Sequence, residues 1–326
     1  MGQFLSNCGV DALATAAQAL KEGNLVAFPT ETVYGLGADA TNAPAVARIY
    51  EVKGRPADHP LIVHIADLKY LEQWISEVPE NAIRLARAFW PGPMTLILKR
   101  SELAKDFITG NQDTVGIRIP NNSSALGLLE AFHKIGGLGV AAPSANRFGQ
   151  VSPTTAVAVK EELENFLAES DLVLDGGPSE VGLESTIIDC VSYLPRILRP
   201  GAVTAPMIED VTGLSLTNES LQSAHASDIR VSGSLENHYA PKARVILDQD
   251  PSVGSGFIAL DTTSTPAGVI RLAAPKTVEE FARTLYESMR EGDNQKLENI
   301  YIHQPSGSGL EMAIRDRLQR AKNGRK

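Results

Sequence analysis

The chain has only two cysteines, Cys8 and Cys190, far apart among its 326 residues and in no Cys-x-x-Cys pairing. That scarcity argues against a disulfide scaffold or a structural zinc site and points to a reducing, cytoplasmic setting. No stretch approaches the ~20 apolar residues of a membrane span. The segment Met1–Asn7 lacks the charged and apolar regions of a secretory signal. Positive charge is in deficit: 30 Lys and Arg against 39 Asp and Glu leave a net charge of −9. A protein built to coat nucleic acid or an anionic membrane would be basic, although a local basic site remains compatible with this balance. Also missing are a Walker A loop, a nucleophile elbow with its Ser-His-Asp order, an HExxH helix and a ladder of His and Cys ligands. A covalent hydrolase or a zinc enzyme is therefore disfavoured, and no dedicated metal site is expected.

What is present is an ordinary globular composition, with 43% hydrophobic and 21% charged residues, in a chain long enough for two domains. Helical and extended patterns alternate through the first two thirds. Asp11 is placed to cap a helix through Leu20 that stops at Gly23, followed by a strand, Leu25–Phe28. Asn42 and Pro44 open a helix that ends at Gly54. Further strands are predicted at 61–65, 94–98, 115–119, 138–142, 172–174, 186–189 and 196–198, with helices near 68–74 and 79–89. Their irregular spacing predicts an α/β (α+β) domain on a twisted mixed sheet, spanning 1–212, and not a simple run of βαβ units. Residues 213–241 shift to Ser, Asn, Glu and Ala and read as a linker. Residues 242–326 read as a small α/β domain, with strands near 244–247, 257–260, 269–272 and 300–303, a helix over 278–289 and a closing helix from Leu310.

The most informative stretch is Lys53-Gly54-Arg55-Pro56. Two cations fixed between a glycine and a proline, on a loop from helix to strand, suit a multiply charged anion such as a triphosphate. Ser144 and Asn146, flanking Ala145, add neutral donors that orient an anion. Gly35 to Ala40 spells G-x-G-x-x-A, but a polar pentapeptide separates it from the preceding strand and the next helix starts later, so the dinucleotide fingerprint is rejected. Arg118 stands on an otherwise apolar strand. It is either paired with a buried carboxylate or aimed into a cleft for a ligand carboxylate, and the strand alone leaves both open. His64 is likewise either a satisfied core residue or a ligand group. Loops at 175–178 and 182–186 and the cation Arg199 share one character: small residues and hydroxyls at strand ends with Arg or Lys nearby.

In this order, Thr30–Ala40, Lys53–Leu61, Trp90–Thr95, Val115–Pro120, Pro143–Asn146, Gly182–Asp189 and Leu198–Gly201 resemble the YrdC/Sua5 family. His238-Tyr239-Ala240-Pro241 and the run Ala313–Leu318 are similar to the linker and small Rossmann-like C-terminal domain of the longer Sua5 form. The resemblance implies a YrdC-like sheet with a large concave cavity and an L-threonylcarbamoyladenylate synthase. Such an enzyme joins L-threonine, bicarbonate or CO2 and ATP into threonylcarbamoyl-AMP and pyrophosphate. A tRNA threonylcarbamoyl-transferase partner then modifies the adenosine next to the anticodon (the t6A modification). The family pattern assigns Lys53, Arg55, Ser144 and Asn146 to the phosphates and the bicarbonate-derived group, with Tyr34 at the reacting centre. It assigns Thr32, His64, Arg118 and Ser185 to threonine. It lines the ATP site with His59, Thr114, Ser152 and Arg199, and closes Tyr239 of the linker over the nucleotide. Mg2+ arrives with the triphosphate. His59 stands where many relatives have Asn, and Ala142 where some have Thr. The rivals are an RNA-binding module, weakened by the net charge, and a carbamoyl-transfer domain of hydrogenase maturation, which usually comes with acylphosphatase-like and zinc-finger segments that this chain lacks.

Overall fold

The computed structural model describes residues 2–216, 229–233 and 238–324; the linker positions 217–228 and 234–237 lie outside the described residues. With strands numbered in chain order, the main sheet runs β1 (Gln3–Leu5), β8 (Leu172–Leu174), β2 (Val26–Phe28), β3 (Gly35–Asp39), β7 (Val140–Ala141), β4 (Ile62–His64), β6 (Thr114–Arg118), β5 (Met94–Lys99), β9 (Thr186–Asp189), β10 (Arg196–Arg199). Parallel and antiparallel pairs mix within it. β4 lies parallel to β6, with His64 beside Arg118, whereas β3 runs antiparallel to both β2 and β7. This is the expected twisted mixed sheet. A second sheet, β11 (Arg244–Leu247), β14 (Asn299–Ile302), β12 (Gly256–Ile258) and β13 (Ile270–Ala273), is parallel throughout, as a Rossmann-like domain requires.

Three details correct the sequence reading. The first helix, Val10–Lys21, is entered through Gly9 with no side-chain cap, so Asp11 sits in its first turn and complements the helix dipole. β1 was not expected; it is a three-residue edge strand paired to β8. β3 was also not among the expected strands, because Gly35, Leu36, Gly37 and Ala38 are poor strand formers. The glycines are there for room: a Cβ on Gly37 would stand 2.7 Å from Val140 Cγ1 and 2.9 Å from Phe28 Cε1. The dinucleotide fingerprint is accordingly absent, since the next helix begins only at Ala43, capped by Asn42 Oδ1 on the Ala45 amide.

The two sheets share a packed boundary. The apolar cluster of Phe281, Tyr286, Ile314 and Leu318 takes in Val33, Val151 and Leu183 from the catalytic side and Tyr239 from the linker. Gly182, at φ 77°, lets the backbone approach helix Val278–Asn294 closely; a Cβ there would meet Arg283 Cα at 2.5 Å. Aromatic contacts run from His59 to Phe148, His238, Tyr239 and Tyr286, joining the cation loop to the C-terminal domain through the linker.

Candidate active site

Helix Ala43–Lys53 stops because Gly54 turns left-handed at φ 62°. Both flanking cations then face inward, leaving Lys53 1% and Arg55 7% exposed. Lys53 Nζ donates to the carbonyls of Ser144 at 2.6 Å and Asn146 at 2.5 Å. Burial first, then the charge of Arg55, pulls its pKa well below the usual lysine value. The Asn146 amide donates to Arg147 O and Gln150 O. Lys53 and Asn146 therefore brace the loop that presents half-buried Ser144, and do not line the cavity that Ser144 and Arg55 face.

That cavity lies between the ends of β3, β4, β6 and β9 and is closed by the linker. Its threonine-assigned side brings together Thr32, His64, Arg118 and Ser185, and its nucleotide-assigned side Arg55, Ser144, Arg199 and Tyr239. Arg118 lines the cavity and also pairs with buried Glu31, Nη2 to Oε1 at 2.8 Å. His64 Nδ1 is buried and finds no partner among the described residues. Burial, then Arg118, hold its pKa down at about 3, so the imidazole is neutral at physiological pH and free to bond a ligand. Ser185 Oγ meets Thr95 Oγ1 at 2.8 Å, and its carbonyl accepts from Arg199 Nε and Nη2.

Tyr34 lines the cavity, but its hydroxyl donates to Gly177 O at 2.7 Å and accepts from the Gly176 amide. Burial raises its pKa further. A phenol so engaged is a poor acid or base, and Tyr34 stands in the cavity wall. Ser152 lies behind the wall, donating to Glu184 Oε1 at 2.6 Å. His59 also lies outside the cavity, with its ring edge on Phe148.

Linker residues occupy the nucleotide-assigned side. Ser232 Oγ accepts from Arg55 Nη2 at 3.1 Å and Ser232 O from Arg199 Nη1 at 2.8 Å, so one serine spans both cations. Val231 fills an apolar slot made by Ile62, Ile97, Ile187 and Leu198. Thr114 borders this adjoining slot and not the cavity itself; the two spaces share Ile62 and Ser232. With the linker in, the cavity has a free volume of about 50 Å³, well below the ~300 Å³ at which small-molecule sites begin. The large concavity expected from the sequence is thus narrowed by the chain's own linker.

Sequence reasoning covered Glu184, Ser232 and His238 only within loop or linker stretches and did not single out Glu31. Glu184 and His238 line the cavity, His238 with a buried Nδ1 that finds no partner among the described residues. The signal for Glu31 was its place between Thr30 and Thr32, and for His238 its place beside Tyr239.

Comparison with known proteins supports a single grouping. The Sua5/YciO/YrdC family profile, described as telomere recombination, matches residues 18–201. The profile for the threonylcarbamoyl-AMP synthase C-terminal domain matches residues 203–322. The threonylcarbamoyl-AMP synthase of Pyrococcus abyssi is 39% identical over 94% of this chain and 92% of its own length. That of Bacillus subtilis is also 39% identical, over 96% and 93%. The crystal structure of P. abyssi Sua5 complexed with L-threonine superposes with a TM-score of 0.86 at 37% identity, covering 99% of this chain and 97% of that one. Full-length HypF shares the fold of 57% of this chain at 23% identity and a TM-score of 0.50.

Proposed function

The chain belongs to the Sua5/YciO/YrdC family, and we propose that it joins L-threonine, bicarbonate or CO2 and ATP into threonylcarbamoyl-AMP and pyrophosphate. The observation that carries this reading is the convergence of Arg55, Arg118, Arg199, His64 and Ser144 on one cavity from strand ends and loops far apart in sequence. The threonine amine captures CO2 and loses a proton, giving a carbamate. A carbamate oxygen attacks the α-phosphorus, and the bond to the β-phosphate oxygen breaks to release pyrophosphate. The protein supplies no nucleophile. It gathers the substrates, offsets charge in the pentacoordinate transition state and keeps water from a labile carbamate.

Arg118 receives the threonine carboxylate, with Thr32, neutral His64 and Ser185 around the rest of the amino acid. Arg55, Arg199 and Ser144 take the phosphates, while Lys53 and Asn146 hold the Ser144 loop in place. Thr114 and the slot filled by Val231 suit the nucleoside end of ATP, and His59 and Ser152 back the same wall. Mg2+ comes with the triphosphate: the cavity's donors are Arg, Ser, Thr and His, and among the described lining residues the carboxylate, Glu184, is already tied to Arg317. The product passes to a tRNA threonylcarbamoyl-transferase, and the setting is cytoplasmic, in keeping with two free cysteines. No helix among the described residues is long and apolar enough to cross a membrane.

Incubated with L-threonine, labelled bicarbonate, Mg2+ and ATP, the protein is expected to form threonylcarbamoyl-AMP that retains the labelled carbon. Turnover that yields only AMP or ADP contradicts the reading.

Residues 213–241, between the catalytic domain, 1–212, and the C-terminal domain, 242–326, act as a lid over the cavity. ATP cannot bind Arg55 and Arg199 while Ser232 spans them, so the linker must move out and close again, with Tyr239, over the nucleotide. Limited proteolysis within the linker should slow when ATP and threonine are both bound; an unchanged cleavage rate would remove the lid.

A further inference from the structure

An anion-binding cavity has little tolerance for a carboxylate in its wall, yet Glu184 is there, 6% exposed, next to Ser185 and near Arg199. What holds it comes largely from the other domain. Arg317, on the closing helix Leu310–Asn323, is fully buried and donates from Nε to Glu184 Oε2 at 2.9 Å. Its Nη2 reaches Pro200 O at 3.0 Å, one residue beyond Arg199, and its Nη1 is held by Asp316. Tyr286, on helix Val278–Asn294, donates to the same Oε2 at 2.9 Å, and Ser152 satisfies Oε1. Both carboxylate oxygens are thereby turned toward the C-terminal domain and Ser152.

We propose that Arg317 is a positioning residue for the ATP site, holding and neutralising Glu184 so that the phosphate-binding wall stays cationic. The inference rests on the synthase reading above and gives the C-terminal domain a part in catalysis: it supplies the counter-charge that the catalytic domain's own wall needs. A purely adhesive ion pair would serve equally well anywhere on the domain boundary, whereas this one ends on a residue that lines the cavity.

Burial alone would raise the Glu184 pKa, but Arg317, then Arg199 and the Ser152 hydrogen bond, outweigh it and hold the carboxyl at about 2. The charged and titratable groups facing it are Arg317 from the closing helix, Tyr286 from helix Val278–Asn294, Arg199 from β10, Lys53 from helix Ala43–Lys53 and Tyr239 and His238 from the linker. With Arg317 in place, Glu184 is ionised and compensated across the neutral range. Without it, burial lifts the Glu184 pKa. The unpaired carboxylate then opposes ATP at high pH and is relieved as falling pH protonates it.

The test is steady-state kinetics on the full chain, after the wild type has been shown to release pyrophosphate with threonine, bicarbonate and ATP; a wild type without that activity would refute the synthase reading on which this inference rests, whereas the variants below test the inference by itself. In Arg317→Met the KM for ATP should rise at least about tenfold, as an unpaired buried charge beside an anion demands, with a much smaller change in the KM for threonine. The ratio to wild type should shrink as the pH is lowered. Adding Glu184→Gln to Arg317→Met should recover most of the loss, because the repelling charge is gone. An unchanged KM for ATP in a folded Arg317→Met protein, or a double variant no better than the single one, overturns the proposal. Should Arg317→Met fail to fold, Arg317→Lys and Tyr286→Phe take its place. Arg317→Lys keeps the charge and should raise the KM for ATP less, per degree of lost melting temperature, than Tyr286→Phe; equal effects overturn the proposal.

Discussion

Replacing Arg118 by Ala is expected to cost the protein its grip on threonine. Arg118 is 4% exposed, sits opposite His64 in the β4–β6 register, and pairs with Glu31, itself 3% exposed. Its loss removes the counter-charge for the substrate carboxylate and strands the Glu31 carboxylate in the same buried region. Truncating one partner of a buried charge pair costs roughly 2–5 kcal/mol, which is about 30-fold or more in affinity. The KM for threonine should rise by at least that factor while ATP binding, measured by isothermal titration, changes far less. Arg118→Lys should recover only part of the loss, because an ammonium cannot hold two carboxylates in a planar fork. A threonine KM within twofold of wild type in Arg118→Ala would remove Arg118 from the amino-acid site.

Arg55→Ala is expected to act on turnover. Arg55 stays protonated despite burial, which lowers its pKa against the opposing effects of Tyr50 and Tyr239 only to about 10. Its Nε is buried without a partner among the described residues, and its Nη2 is committed to Pro60 O and Ser232 Oγ. Both linker contact and free donor are what an incoming phosphate would take over. Removing one preorganised donor to transition-state charge typically costs about 10²–10³ in kcat, and a guanidinium belongs at the upper end. Near-normal turnover in Arg55→Ala would withdraw the phosphate assignment.

Much of this site was legible in the sequence because its logic is local. Gly54 and Pro56 fix the direction of Lys53 and Arg55, and an arginine on an apolar strand demands a partner whether protein or ligand. What stayed hidden depends on contacts far along the chain. Lys53 turns away from the cavity because two carbonyls, at Ser144 and Asn146, are brought to it by the fold. The strand character of Gly35–Asp39 depends on Phe28 and Val140 pressing on both sides of Gly37, which no propensity records. The occupation of the proposed nucleotide side by Val231 and Ser232 follows from linker docking, and the linker's composition gave no sign of it. The counter-charge on Glu184 comes from a residue in the other domain, so neither domain's sequence contains the pair.

One reaction tests the central claim that a single cavity holds an amino acid beside a nucleotide and couples them through a carbamate. Exchange of labelled pyrophosphate into ATP should appear only when L-threonine and bicarbonate are both present, and should vanish when either is withheld. Exchange that proceeds without threonine would contradict the account and turn attention to carbamoyl chemistry on the same fold.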